Sequence, residues 1–380
     1  MKKSLLLIPF LLIAAVVNGQ WIQNSSCDKK ANIVANQAIE YMANLEYLSA
    51  LGAANSALLL DENCGCAKLT LAAISSQNPK WGSRIQKLDE IDTSKLTAEE
   101  KAWYNYLRIV DNLKRPEFQI TIQNKFPKSP LINYLGTSVN DFNSYKLFTE
   151  KFPTYSSSAY NMISYGYMMG AFGEINMEEA KKYIEMSKNM HFGPNSFDSM
   201  GEHYASVGDY EKALESQLTA IDFATFASPY YTNAQLYSAK MSKDKISQTI
   251  MDNQKVMQSA ILNGDYESYK EFEHPEIVVT TGDSNLNPFY VFTKDNLDED
   301  APMTWNAFNL SNFEVYFSPD MKSSVITFDA DGSFTMIDSK IKIDYSTRGS
   351  ATWVSTTEGW KILHSSYAPR KGKNGLPDVN

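Results

Sequence analysis

Several side chains toward the C-terminal end have the types that acid–base chemistry needs. Asp338 and Asp344 are carboxylates able to accept a proton, His364 titrates near neutrality, and Tyr290, Tyr345 and Tyr367 carry hydroxyls able to donate to an oxyanion. A carboxylate base set against such a donor is what proton abstraction beside a carbonyl requires. Asp344 and His364 are the pair on which a reaction of this kind would rest. The pattern offers the residue types without a productive pairing, and a strand carboxylate ordinarily faces solvent, so the expectation is that no residue is catalytic. Arg348 could clamp an anion; with Trp353, Tyr290 and Tyr367 it makes the candidate binding set. The same arginine serves equally in a surface ion pair, and Trp353 and Trp360 in packing.

Metal and cofactor chemistry find little support. No two of His191, His203, His274 and His364 stand four residues apart on a helical face, the spacing of a zinc pair. Asp329-Ala330-Asp331-Gly332 matches a fragment of a calcium loop but lacks the remaining ligands, and reads as a turn. There is no Gly-x-Gly-x-x-Gly, no phosphate-binding loop and no Gly-x-Ser-x-Gly elbow, so no cofactor and no metal is expected. Cys64-Gly65-Cys66 is too tight to favour an internal bridge. A bridge from Cys27 to either one would leave an odd thiol; the alternative is three small buried residues. A formal charge of −9 with no basic stripe argues against nucleic-acid binding.

The chain of 380 residues is too long for one ordinary domain, and with 43% hydrophobic and 21% charged residues it is not a disordered one. Lys2 and Lys3 precede an apolar run over 5–17, followed by the small-residue stretch Val17-Asn18-Gly19. This is the pattern of a cleaved export signal over 1–19, with Gln20 the first mature residue. The run is short for a membrane span, no later stretch reaches 18 apolar residues, and Cys27 lies too far on for a lipid anchor. The expectation is an exported mature chain of a bacterial envelope, periplasmic or secreted, that does not span the membrane.

Residues 28–241 carry alanine, leucine and tyrosine at helical spacing, and residues 275–367 alternate β-branched and aromatic residues with polar ones. Thr97 to Glu100 makes a capping box, Asn176 to Glu179 another, and Pro116, Pro127 and Pro130 imply short or broken helices. The helical part contains a repeat. Counting Pro194 as position 1, Phe197, Gly201, Tyr204, Gly208, Tyr210, Ala213 and Ala220 fall at positions 4, 8, 11, 15, 17, 20 and 27. Tyr160, Gly166, Gly173 and Ala180 form an imperfect upstream copy, and Ala38, Tyr41, Tyr47, Ala50 and Ala57 a third. These positions and types resemble the tetratricopeptide (TPR) repeat. The resemblance implies an α-solenoid whose groove binds a protein segment, with Gly201 and Ala213 where two helices cross.

Further on, residues 246–263 read as an amphipathic helix, with Ile246, Ile250, Met257 and Ile261 on one stripe and Gly264 as its stop. A shorter helix, 265–272, follows, then strands near 276–281, 313–317, 324–329, 334–337, 341–354 and 359–367. Asp331-Gly332 and residues 356–359 are turn signals, and 294–297 opens a small helix. Asn263-Gly264-Asp265 after the long helix and the closing stretch Arg348-Gly349-Ser350-Ala351-Thr352-Trp353-Val354, turn, Gly359-Trp360-Lys361-Ile362-Leu363-His364-Ser365-Ser366 resemble the NTF2-like (SnoaL-like) family. That resemblance implies a curved mixed sheet around a long helix, a cone that in some members is an isomerase pocket and in many others binds a ligand or dimerises.

The expected architecture is multidomain: a signal over 1–19, an all-α TPR-like solenoid over 20–241, an α+β NTF2-like cone over 242–372 and a tail over 373–380. The expected function is a non-enzymatic binding or adaptor protein. Its groove would hold a protein or peptide segment, and its cone a small apolar ligand or a second copy of the chain. The alternative is an NTF2-like isomerase or dehydratase-type enzyme acting on a small apolar molecule.

Overall fold

The computed structural model describes residues 20–225, 227–281 and 303–375. The chain divides into two compact units, one ending at Ala234 and the other beginning at Gln235, so the division falls inside a helix, before the joint expected at 241.

The first unit is helical. Its elements are α1 (Lys29–Ala43), α2 (Tyr47–Leu60), α3 (Gly65–Ile74), α4 (Arg84–Asp89), α5 (Ala98–Arg108), α6 (Arg115–Lys125), α7 (Pro130–Tyr134), α8 (Asn143–Lys151), α9 (Ser157–Met168), α10 (Met177–Met190), α11 (Pro194–Ser206), α12 (Tyr210–Phe223) and the first part of α13 (Ser228–Met241), within which the division falls. Three pairs pack closely, α1 on α2, α9 on α10 and α11 on α12. Small residues allow the approach: Ala31, Ala35 and Ala38 of α1 and Ala50, Ala54 and Ala57 of α2 are all fully buried. At the α11–α12 contact a Cβ on Gly201 would stand 3.1 Å from the Ala213 carbonyl oxygen and 2.9 Å from Gln217 Nε2. The proline-rich stretch keeps its helices by placing Pro116 and Pro130 in the first turns of α6 and α7, where a missing N–H costs nothing. Thr97 and Glu100 form the reciprocal capping box. Asn176 accepts from the Glu179 N–H, a one-way cap.

An N-terminal segment is stapled to this unit. Trp21 and Ile22 are buried, and the Trp21 ring packs against Tyr134, Phe148 and Tyr155. Glu99 accepts the N–H groups of Gln23 and Asn24, and Glu100 accepts that of Ser26. Cys27 is bridged to Cys64, which closes a separation of 37 residues, and Cys66 remains a buried thiol.

The second unit contains α14 (Lys243–Leu262) and α15 (Tyr266–Lys270), then β1 (Glu273–Thr281), β2 (Met303–Phe317), β3 (Ser323–Met336), β4 (Lys342–Thr356) and β5 (Gly359–Pro369). The sheet order is β1-β5-β4-β3-β2; β1 runs parallel to β5 and the other neighbours are antiparallel. Alternation sorts the strand residues. Ile326, Phe328, Ala330 and Phe334 of β3 and Tyr345, Ala351 and Trp353 of β4 are buried and form one core with Ile250 and Met257 of α14. Asp331-Gly332 is not a turn: β3 runs straight through it, correcting the reading of two separate strands. The glycine is there for space, since a Cβ on Gly332 would fall 2.1 Å from the Ala307 carbonyl oxygen, beside a bulge in β2. The 356–359 turn is present, with Gly359 at φ 102°. The helix expected at 294–297 lies outside the described residues.

Candidate functional site

The inward face of the sheet carries two groups of aromatic rings. Trp305, Phe308, Phe334 and Tyr345 stack edge-to-face in one group, and Phe328 packs on Phe313 and Tyr367 in another. Gly349 makes room for this, because a Cβ there would run into the Phe328 ring. Two polar groups of this face bond α14: Trp353 Nε1 donates to Gln254 Oε1 at 3.1 Å, and Tyr367 Oη to Gln258 Oε1 at 2.9 Å. Two of the four residues of the sequence-derived binding set, Trp353 and Tyr367, thus serve the helix–sheet contact.

Asp344 and His364 are not brought together. Asp344 pairs with Ser333 and His364 with Thr352, on positions that alternate with the buried Tyr345, Ala351 and Trp353. Eight residues of β4 separate the two pairings, roughly 27 Å at strand rise. Arg348 is exposed and stands opposite Asp329, and Asp338 lies exposed between β3 and β4. Asp329 accepts from Asn312 and pairs with Arg370, which together with the Arg348 charge holds its carboxyl below the usual range. Tyr345 accepts from Thr347 Oγ1. Tyr290 lies outside the described residues.

In the helical unit the structure gathers groups that spacing alone did not single out. Glu46, at the start of α2, meets His191, at the end of α10, with Nε2 to Oε1 at 2.8 Å. Burial pushes the imidazole down, but the Glu46 hydrogen bond and the charges of Glu46 and Glu40 outweigh it, so His191 holds its proton above the ordinary range. On α11, Asp198 and Glu202 stand one turn apart. Asp198 Oδ1 accepts from Gln217 Nε2 at 2.7 Å and from Asn233 Nδ2 at 3.2 Å, and Glu202 Oε2 accepts from Tyr165 Oη at 2.7 Å. Burial raises both carboxyls, and the Asp198 charge raises Glu202 further. Tyr230 is raised too, first by burial and then by the charges of Asp198 and Glu46. The signal available in the sequence was the Asp198–Glu202 spacing; Glu46 and His191 are 145 residues apart.

A second cluster was legible only in part. Cys27 Sγ, Cys66 Sγ and a Glu100 oxygen lie within 4.8 Å of one another, though the Cys27 sulfur is used in its bridge. Cys66 donates to Glu100 Oε1 at 3.1 Å, and burial beside Glu100 pushes the thiol well up, so it stays protonated and inert. A cleft of about 470 Å³ lies between α6, α7 and α8, lined in part by Gln123, Asn133, Phe148, Lys151 and Phe152. Among the described residues no helix is long and apolar enough to cross a membrane.

No family model and no curated protein matches the sequence. Solved structures do resemble part of it. An NTF2-like protein from Cytophaga hutchinsonii is 16% identical, covering 32% of this chain and 97% of that one with a TM-score of 0.27. An NTF2-like superfamily protein from Salmonella enterica is 16% identical, covering 36% and 99% with a TM-score of 0.29. The S. rosetta CaMKII hub is 16% identical, covering 32% and 95% with a TM-score of 0.28.

Proposed function

We propose that this chain is an exported, non-enzymatic binding or adaptor protein. Its helical unit is a TPR-like array that holds a protein segment, and its NTF2-like unit supports association or takes a small apolar ligand. One observation carries the reading: Asp198 and Glu202 of the helical unit are desolvated carboxyls met by neutral donors, while Trp353 and Tyr367 of the sheet unit, both in the candidate binding set, donate to Gln254 and Gln258 of α14. Close helix pairs separated by glycine and alanine support the repeat, with Gly201 against Ala213. The enzyme reading loses ground because its two named residues lie far apart on the face opposite the core.

Cross-linking mass spectrometry on the mature chain, purified gently from its own host, tests this. The expected result is a polypeptide cross-linked to residues of α9–α12. A turnover of a small apolar molecule abolished by Asp344→Asn or His364→Gln would sink it. Light scattering on the same sample decides the association role: a monomer at all concentrations removes it.

A further inference from the structure

The cleft between α6, α7 and α8 lies wholly within the helical unit. Its volume, about 470 Å³, is that of a small-molecule site. Among the described residues that line it, Lys151 alone is charged. Lys151 Nζ donates to Asn133 Oδ1 at 3.0 Å and lies 5.4 Å from the centre of the Phe152 ring. An ammonium offers further donors beyond that one. No carboxylate pairs with Lys151 among the described residues, whereas Lys182 of α10 and Lys212 of α12 each hold one, Glu179 and Asp209.

Unused acceptors stand beside this cation. Gln123 lines the cleft, and its Nε2 donates to the backbone oxygen of Asn133, the residue that also holds Lys151. That bond fixes which end of the amide is oxygen. Gln123 Oε1 takes no hydrogen bond from a described residue. Asn124, next along α6, adds a second amide to the lining. Behind Gln123, one turn earlier on α6, Gln119 is 5% exposed; its Nε2 donates to the Ile132 carbonyl oxygen, and its Oε1 has no donor. Gly136, itself in the lining, ties these amides to the cleft wall: a Cβ there would run into Gln123 Nε2 and stand 3.2 Å from Gln119 Nε2. A buried acceptor without a donor is uncommon and marks a missing partner.

We propose that this cleft binds a small hydroxylated monocarboxylic acid of the sugar-acid class. Lys151 takes the carboxylate, the amides of Gln123 and Asn124 take hydroxyls, and Leu147, Phe148 and Phe152 give the carbon skeleton an apolar surface. Charge selects the anion: one ammonium matches one carboxylate, and the lining offers no arginine fork or second cation for a phosphate. The acceptors select hydroxyls over an amine, because they are neutral oxygens close to Lys151, where a second ammonium is repelled. A hydroxyl both donates and accepts, which suits an amide with one end of each kind. The site is separate from the array that holds a protein segment and stands without that reading.

Saturation-transfer NMR titration of the full mature chain with D-glucuronate is the test, with glucose and hexanoate as comparisons. Glucose keeps the hydroxyls without the charge, and hexanoate keeps the charge without the hydroxyls. Glucuronate should bind, more weakly as salt rises, and each comparison compound should bind about tenfold more weakly or worse. Lys151→Gln should weaken glucuronate by about tenfold and leave glucose unchanged, and Gln123→Leu should weaken glucuronate by about fivefold. Lys30→Gln removes the same charge from an exposed position on α1 and should leave binding unchanged. Equal losses from Lys30→Gln and Lys151→Gln would overturn the proposal, as would no binding of glucuronate by a folded chain. Glucose binding as tightly as glucuronate defeats the role of Lys151, and hexanoate doing so defeats that of the amides; either result overturns the assignment. Circular dichroism on each variant confirms that lost binding is not lost fold.

Discussion

In the helical unit the close helix pairs put their smallest side chains in contact, Ala31, Ala35 and Ala38 with Ala54 and Ala57 and Gly201 with Ala213, alongside ring pairs such as Tyr160–Tyr183 and Phe197–Phe223. In the sheet unit the contacts are made by the largest, with Trp353, Phe334, Phe328 and Tyr345 filling the space under α14. Closely approaching helices leave little volume to fill, so little is gained per contact, and the unit adds a disulfide and buried carboxylates that clamp its N-terminal segment. A twisted sheet around a helix leaves a deeper interior, filled here by aromatic rings together with Ile250, Met257 and Ile326. The first arrangement should be sensitive to enlargement and to loss of its staples, the second to truncation.

That contrast can be broken experimentally, with hydrogen exchange reporting each unit separately. The largest effect expected is for Trp353→Ala, which empties the centre of the sheet unit and orphans Gln254, at a cost of about 3–5 kcal/mol. Protection should fall along β3–β5; a loss confined to α1–α5 would contradict the comparison. Removing the bridge by Cys27→Ser with Cys64→Ser should cost the helical unit about 3–4 kcal/mol, given the loop it closes. A sheet unit that loosened as much would show the staple is not local. Gly201→Val forces a side chain against the Ala213 carbonyl and should cost about 1–3 kcal/mol. An unchanged α11–α12 would mean that this pair is not set by close approach.

The smallest effect is in pH, and the two units should respond with opposite sign. His191, Asp198 and Glu202 all hold their protons in the fold above their ordinary ranges. Stability from such groups is present at low pH and is lost as pH rises, first through the carboxylate range and then through that of histidine. Asp329 in the sheet unit is shifted the other way, so its contribution is present at neutral pH and is lost on acidification. Melting between pH 5 and 8 should therefore favour the helical unit on the acid side. His191→Gln should flatten its upper part, and an unchanged slope in that variant would remove His191 from the account.

Local signals determined a good deal by themselves. Helical spacing up to Met241, the capping box at Thr97, the long helix before Gly264 and the strand-rich end follow from periodicity and turn chemistry, because each depends on neighbours a few residues away. Tertiary structure decided the rest. Asp331-Gly332 carries a turn's residue types, yet lies mid-strand because β2 passes close enough to demand a glycine. Which cysteine Cys27 joins was open from spacing and depends on how the N-terminal segment meets the start of α3. Asp344 and His364 had suitable types, but alternation and register put them on the outer face and apart. Glu46 found His191 only because distant helices pack together. Residue type states what a side chain is able to do; burial and proximity, which depend on contacts distant in the chain, decide whether it is placed to do it.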